Sequence, residues 1–160
     1  MVLSTAVPQT FLGIGTEEYK TGLTVQACAT AGLGNLRAPG DPAGYSEEDP
    51  DYLHYGTINI IVCVNRYLPP KTRFESIAAI AVARAAVVGL CGIYSEISDR
   101  LCLGTGTDCF ALCFSRDKSK PLQYAGPQVK FGEVLANAVI GAVEEAMSHR
   151  ERHVKSLGSR

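Results

Sequence analysis

Apolar and polar residues alternate from Leu23 to Thr30. Leu23, Val25, Ala27 and Ala29 fall on one side, and Thr24, Gln26, Cys28 and Thr30 on the other. A period of two predicts a strand over residues 21–31 with one face toward a core. Residues 57–64 are β-branched and apolar on both sides, Ile58, Ile60, Val62 and Val64 against Asn59, Ile61 and Cys63. That pattern predicts a central strand buried on both faces. Asn59 and Asn65 then share one side, one at each end. Residues 109–114 predict a third strand, with Cys109, Ala111 and Cys113 opposite Phe110, Leu112 and Phe114.

Two helices follow from the longer patterns. Thr72-Arg73-Phe74-Glu75, after Pro69-Pro70, has the form of a capping box and predicts a helix from 72 to 91 stopped by Gly92. This helix is apolar nearly all round, so burial on more than one side is expected. Arg84 interrupts it; it either snorkels to the surface or meets a carboxylate, and the first is the commoner outcome. Phe131, Val134, Leu135, Ala138, Val139, Ala142, Val143, Ala146 and Met147 recur at i, i+3, i+4, i+7 and predict an amphipathic helix. His149, Arg150 and Arg152 complement its C-terminal dipole, and residues 149–160 read as a helix end and tail. The order strand, strand, helix, strand, helix predicts a single α/β domain, a mixed sheet with helices packed on it.

Between the first two strands, residues 35–55 are polar and rich in Pro and Gly. They include the acidic run Glu47-Glu48-Asp49-Pro50-Asp51, read as a solvated face. A loop of this length inside a compact domain suits a lid or a binding loop.

Composition excludes several classes. The 160 residues carry a net charge of −1, so no polybasic surface argues for nucleic acid. The longest apolar stretch, residues 77–93, contains Arg84 and falls short of a membrane span. The first residues lack a basic n-region and are broken by Pro8, so a cytoplasmic protein is expected. The six cysteines form no C-x-x-C pair, and the three histidines lie elsewhere, so no metal is expected. Cys63, Cys109 and Cys113 sit in strand-like runs and are expected as reduced core thiols.

Three polar clusters break the apolar pattern. They are Gly34 to Asp41, Asn59 with Asn65, and Leu103-Gly104-Thr105-Gly106-Thr107-Asp108 just before the third strand. The last presents two hydroxyls and a carboxylate where a glycine-bearing loop feeds a strand. It reads equally as a tight turn in which Thr and Asp bond their own backbone. A threonine nucleophile needs a nearby base, and Asp108 is the candidate for that base or for orienting a water. Asn35, the 35–41 loop, Asp108 and at least one of the two asparagines are expected to line one cleft.

These residues carry a family resemblance. Gly56-Thr57-Ile58-Asn59-Ile60-Ile61-Val62, Val64-Asn65, Gly104-Thr105-Gly106-Thr107-Asp108 and Tyr124-Ala125-Gly126 resemble the adenosylcobinamide amidohydrolase family of corrinoid salvage. Thr30-Ala31-Gly32, Gly34-Asn35, Arg37 and Gly40-Asp41-Pro42 are similar to it as well, so the likeness spans residues 24–147 in order. It implies hydrolysis of the amide joining the corrin ring to its aminopropanol arm. Asp108, Thr105 and Thr107 would be catalytic. Asn35, Arg37, Asp41, Asn59, Asn65, Lys130 and Glu133 would bind substrate. A corrinoid is then the expected small-molecule partner, as substrate, with no separate cofactor, nucleic acid or membrane insertion, and a homo-oligomer is left open.

The chain also departs from the family pattern. Ala83-Arg84-Ala85-Ala86 stands where a Thr-Glu-Ala-Lys patch is usual, and Gln128-Val129 replace a His-Ser pair. Those changes keep a second reading open, a non-catalytic corrinoid or small-molecule binder. A third, phosphate held by the 104–108 backbone, lacks nearby basic residues in the sequence.

Overall fold

The computed structural model describes residues 3–43 and 56–158; the acidic run at 47–51 and His54 lie outside them. After a 3-10 turn at Gln9–Phe11 come strands β1 (Gly13–Tyr19), β2 (Leu23–Ala31) and β3 (Leu36–Arg37). Strand β4 (Ile58–Val64), helix α1 (Pro70–Leu90), strands β5 (Gly104–Thr105) and β6 (Cys109–Phe114), and helix α2 (Lys130–Gly158) follow. The main sheet has the order β1-β2-β4-β6, and β3 pairs with β5 in a small second sheet.

The first three partners meet antiparallel, Gly13 opposite Ala29 and Ala31 opposite Ile58. Strands β4 and β6 run parallel, with Asn59 opposite Cys109 and Val64 opposite Phe114. This pairing needs a crossover, which α1 supplies. The sheet therefore has two ends. Ala31, Ile58 and Cys109 mark one, and Leu23, Val64 and Phe114 the other. The fold is thus the mixed α/β sheet that the periodicity predicts.

Helix α2 packs on β1 and on the buried face of β2, Leu23, Val25, Ala27 and Ala29, and shares one core with the buried Ile58, Ile60 and Val62 of β4. Its own buried stripe is the one expected, Phe131 through Met147. It lies close because β1 presents glycines. A Cβ on Gly13 would come within 2.1 Å of the Ala142 carbonyl oxygen, and one on Gly15 within 2.0 Å of that of Ala138. These glycines hide β1 from a search for alternating apolar residues. Glu145 of α2 also accepts a 2.6 Å hydrogen bond from the Ile14 N–H of this edge strand.

Five expectations need correction. Apart from the buried Thr30, Asn59 and Ala111, the other face of the sheet leaves Ile14, Ile61, Cys63, Cys109 and Cys113 exposed, because both described helices lie on the opposite side. On that second face β4 buries only Asn59 and exposes Ile61 and Cys63, and Cys102 is the one cysteine in the core. Helix α1 likewise buries one stripe, through Thr72, Ser76, Ile80, Ala83 and Val87, and leaves Phe74, Val82 and Leu90 exposed. It begins at Pro70 without a side-chain cap. Thr72 instead donates to the Gln123 carbonyl at 2.9 Å, and Glu75 accepts from the Ala125 N–H at 2.9 Å, so tertiary partners take the residues of the supposed box. Arg84 does not snorkel; it turns inward to a carboxylate.

Candidate active site

Three loops converge at the end of the sheet marked by Ile58 and Cys109. The Gly34–Asn35 turn, the Gly56–Thr57 approach to β4 and the 104–108 turn interlock through the backbone. Gly106 N–H donates to the Asn35 carbonyl at 3.0 Å, and Leu103 N–H to that of Arg37 at 3.3 Å. Gly56 adopts φ +128, and a Cβ there would sit 2.6 Å from the N atoms of Gly34 and Asn35. Only glycine fits both that angle and that space.

Asp108 ties the loops together. One carboxylate oxygen accepts from the Ile58 N–H at 3.0 Å and from the Thr105 hydroxyl. The other accepts from the Thr105 N–H at 3.1 Å and pairs with Arg84 Nη1 at 3.1 Å. A carboxylate offers about four acceptor positions, and four donors occupy them here. The pair is well shielded, with side-chain exposure of 15% for Arg84 and 7% for Asp108. Arg84 also donates to the Leu103 carbonyl and sits over the Phe110 ring at 5.6 Å. Gly104 leaves the room, since a Cβ there would fall 1.7 Å from the guanidinium.

The neighbouring hydroxyls are also engaged. Thr107 donates to the Gly56 carbonyl at 3.1 Å, and its own carbonyl accepts from Thr57 at 2.6 Å. Asn35 differs. It is 6% exposed, and its Nδ2 has no hydrogen-bond partner among the described residues. A buried unpaired amide donor costs about 1–3 kcal/mol, so it calls for an acceptor from elsewhere. Asn35 lies between the 104–108 turn and a cavity of about 310 Å³, which is also lined by Arg37, Tyr94, Glu96 and Ile97. Ile93, Tyr94 and Ile97 are exposed at its edge and give it an apolar rim.

The remaining sequence candidates divide between the two ends. Asp41 accepts from the Ala38 N–H at 2.9 Å, from Ser95 at 2.8 Å and from Ser98, and so joins the 38–41 turn to the 95–100 loop. The Ser98 hydroxyl, then the Ala38 N–H, hold its carboxyl below the ordinary range. Asn59 lies at the Asp108 end, where its amide donates to the Ser4 carbonyl at 2.7 Å. Asn65 lies at the far end and fastens the β1–β2 turn, accepting from Thr24 at 2.9 Å and donating to Gly22 at 2.8 Å. Lys130 and Glu133 are at that end too, paired at 2.6 Å, with Lys130 5.4 Å from the centre of the Tyr19 ring. Glu133 holds the Lys130 ammonium above its ordinary value. The cavity therefore gathers Asn35 and Arg37 alone of the sequence candidates; the Asp108 turn packs behind Asn35 without lining it, Asp41 and Asn59 are held by their own bonds, and Asn65, Lys130 and Glu133 stand at the far end.

The sequence left a carboxylate partner open for Arg84 without marking Asp108 as that partner, and it gave no sign of Ser95 and Ser98 as partners of Asp41. A lone arginine in an alanine-rich helix was the available signal for the first. Nothing in the local pattern marked the two serines. Among the described residues, no group of three or more His, Cys, Asp or Glu side chains is arranged to hold a metal. No helix among them is long and apolar enough to cross a membrane.

The fold and this end of the sheet define an α/β protein with a cavity of small-molecule size beside a buried carboxylate. No curated protein and no solved structure is significantly similar to it. The family model for adenosylcobinamide amidohydrolase matches residues 1–155, and the chain belongs to that family.

Proposed function

We propose that this chain hydrolyses the amide that joins the aminopropanol arm of adenosylcobinamide to the corrin ring, yielding adenosylcobyric acid and 1-amino-2-propanol. The observation that carries the reading is a hydroxyl on a carboxylate, Thr105 on Asp108, one turn from the unpartnered Asn35 amide. That is a nucleophile and base with a donor beside them. Thr105 Oγ attacks the amide carbonyl as its proton passes to Asp108. Asn35 Nδ2 donates to the oxygen as negative charge develops there, where a placed donor contributes most. The proton returns to the leaving nitrogen, 1-amino-2-propanol departs, and water releases the acid from Thr105. Arg37 and the apolar rim of Ile93, Tyr94 and Ile97 would hold the amide-bearing edge of the ring.

One observation favours the second reading, a corrinoid-binding protein without turnover. All the acceptor positions of Asp108 are filled, one of them by Arg84, so the carboxylate serves as the tie that holds three loops together.

Incubation with adenosylcobinamide, followed by chromatography and mass analysis, tests the two. Release of aminopropanol that Thr105→Ala abolishes supports hydrolysis through Thr105. Binding without release supports the binder. Full turnover by Thr105→Ala keeps hydrolysis and shifts the attack to a water. Neither binding nor turnover removes both readings.

A further inference from the structure

Four cysteines share the face of the sheet that no helix covers. The pairing registers place Cys28 opposite Ile61, Cys109 opposite Asn59, and Cys113 opposite Cys63. Cys63 and Cys113 are both exposed, on adjacent strands at the same level. Neighbouring strands lie about 4.7–4.9 Å apart. Disulfides accept a Cα separation of about 4.4–6.8 Å, so this pair lies inside the permitted range. Cys28 is a diagonal neighbour of Cys63, at the about 7–8 Å typical of such positions, outside that range. Cys109 is four residues along β6 from Cys113, farther still. Strand β6 is an edge strand, paired within the main sheet with β4 alone.

We propose that Cys63 and Cys113 form a dithiol site that a peroxide converts reversibly to an intramolecular disulfide. One thiolate attacks a peroxide oxygen, the O–O bond breaks, and a sulfenic acid forms as water leaves. The second thiolate attacks that sulfur, the S–S bond forms, and the hydroxyl leaves as a second water. Two thiols and one hydrogen peroxide thus give one disulfide and two waters. A small dithiol reductant reverses the change by exchange. An exposed link across an edge strand belongs to the readily reduced class of disulfides. Burial of its sulfur and the adjacent Cys113 push the Cys63 thiol up, so oxidation quickens as pH rises.

The test is to treat the full chain with one equivalent of hydrogen peroxide at pH 8, then block thiols with maleimide and map peptides. The expected result is a single species about 2 Da lighter, with two thiols lost and a Cys63–Cys113 cross-link that dithiothreitol removes. Cys63→Ser and Cys113→Ser should each abolish that cross-link while circular dichroism remains that of the parent; if one fails to fold, the other decides. A cross-link from Cys63 to Cys28, a disulfide between two chains, or sulfinic acid at both positions in the parent overturns the proposal.

Discussion

Replacing Asp108 by Asn is the sharpest test of the geometry at this end of the sheet. The change preserves shape and removes the charge. The asparagine oxygen can replace one carboxylate oxygen, but its NH2 must then face either Ile58 N–H and the Thr105 hydroxyl, or Thr105 N–H and Arg84. In either rotamer a donor meets donors, and Arg84, 15% exposed, loses its counter-charge. Breaking one side of a buried pair costs about 3–5 kcal/mol. For a chain of this size that is a fall in melting temperature of roughly 6–20 °C, at about 2–4 °C per kcal/mol. Arg84→Met is expected to cost less, because three donors still hold the carboxylate. The double variant should cost less than the sum of the two, by at least about 1 kcal/mol of coupling. Urea unfolding at pH 7 of the parent, both single variants and the double variant measures all four corners. A loss below about 1 kcal/mol in Asp108→Asn, or additive single effects, would refute the account of Asp108 as the charge-paired hub. Where the variant remains folded, its turnover of adenosylcobinamide then reports on proton transfer, expected to fall by about 10²–10⁴-fold if Asp108 is the base.

Asn35→Ala should leave stability within about 1 kcal/mol, since it deletes a buried donor that has no partner. It should lower kcat about 10²–10³-fold, as loss of an oxyanion donor does; unchanged kcat would remove Asn35 from the reaction. Gly15→Ala should destabilise by about 1–3 kcal/mol or more, because the new methyl meets the Ala138 carbonyl on the neighbouring helix; a chemical melt matching the parent would contradict this close approach. Asp41 has a folded-state pKa below the ordinary 3.8. Its contribution is therefore complete above that value and is lost as pH falls below it toward the folded value. Hydrogen exchange of the Ser95 and Asp99 amides should accelerate over that acidic window, and exchange that stays flat would show that Asp41 does not hold the loop.

What the residue pattern discloses depends on how local the cause is. Strand β2 and the buried stripe of α2 are legible because their period and their burial coincide. Strand β1 is not, because Gly13 and Gly15 occupy its core face and supply no apolar signal. Ile61 and Cys63 look like core residues, yet whether a face is covered depends on where both helices dock, which no local window contains. Thr72 and Glu75 are spaced as a cap but are used by Gln123 and Ala125, some fifty positions on. At the site, the 104–108 turn stands out by composition, and so does Asn35. The partner of Asp108 does not, because Arg84 comes from the middle of a helix that resembles plain core.

The order of elements along the chain also has a consequence for synthesis. Strands β1 and β2 are made early, but the helix that covers them begins only at Lys130. At about 5–20 residues per second, roughly 5–20 s pass between completion of β2 and emergence of α2. Throughout that interval Leu23, Val25, Ala27 and Ala29 have no cover of their own. The growing chain thus carries an apolar sheet face that stays uncovered until α2 arrives, so a chain cut short before α2 is expected to aggregate, beyond a mere loss of stability.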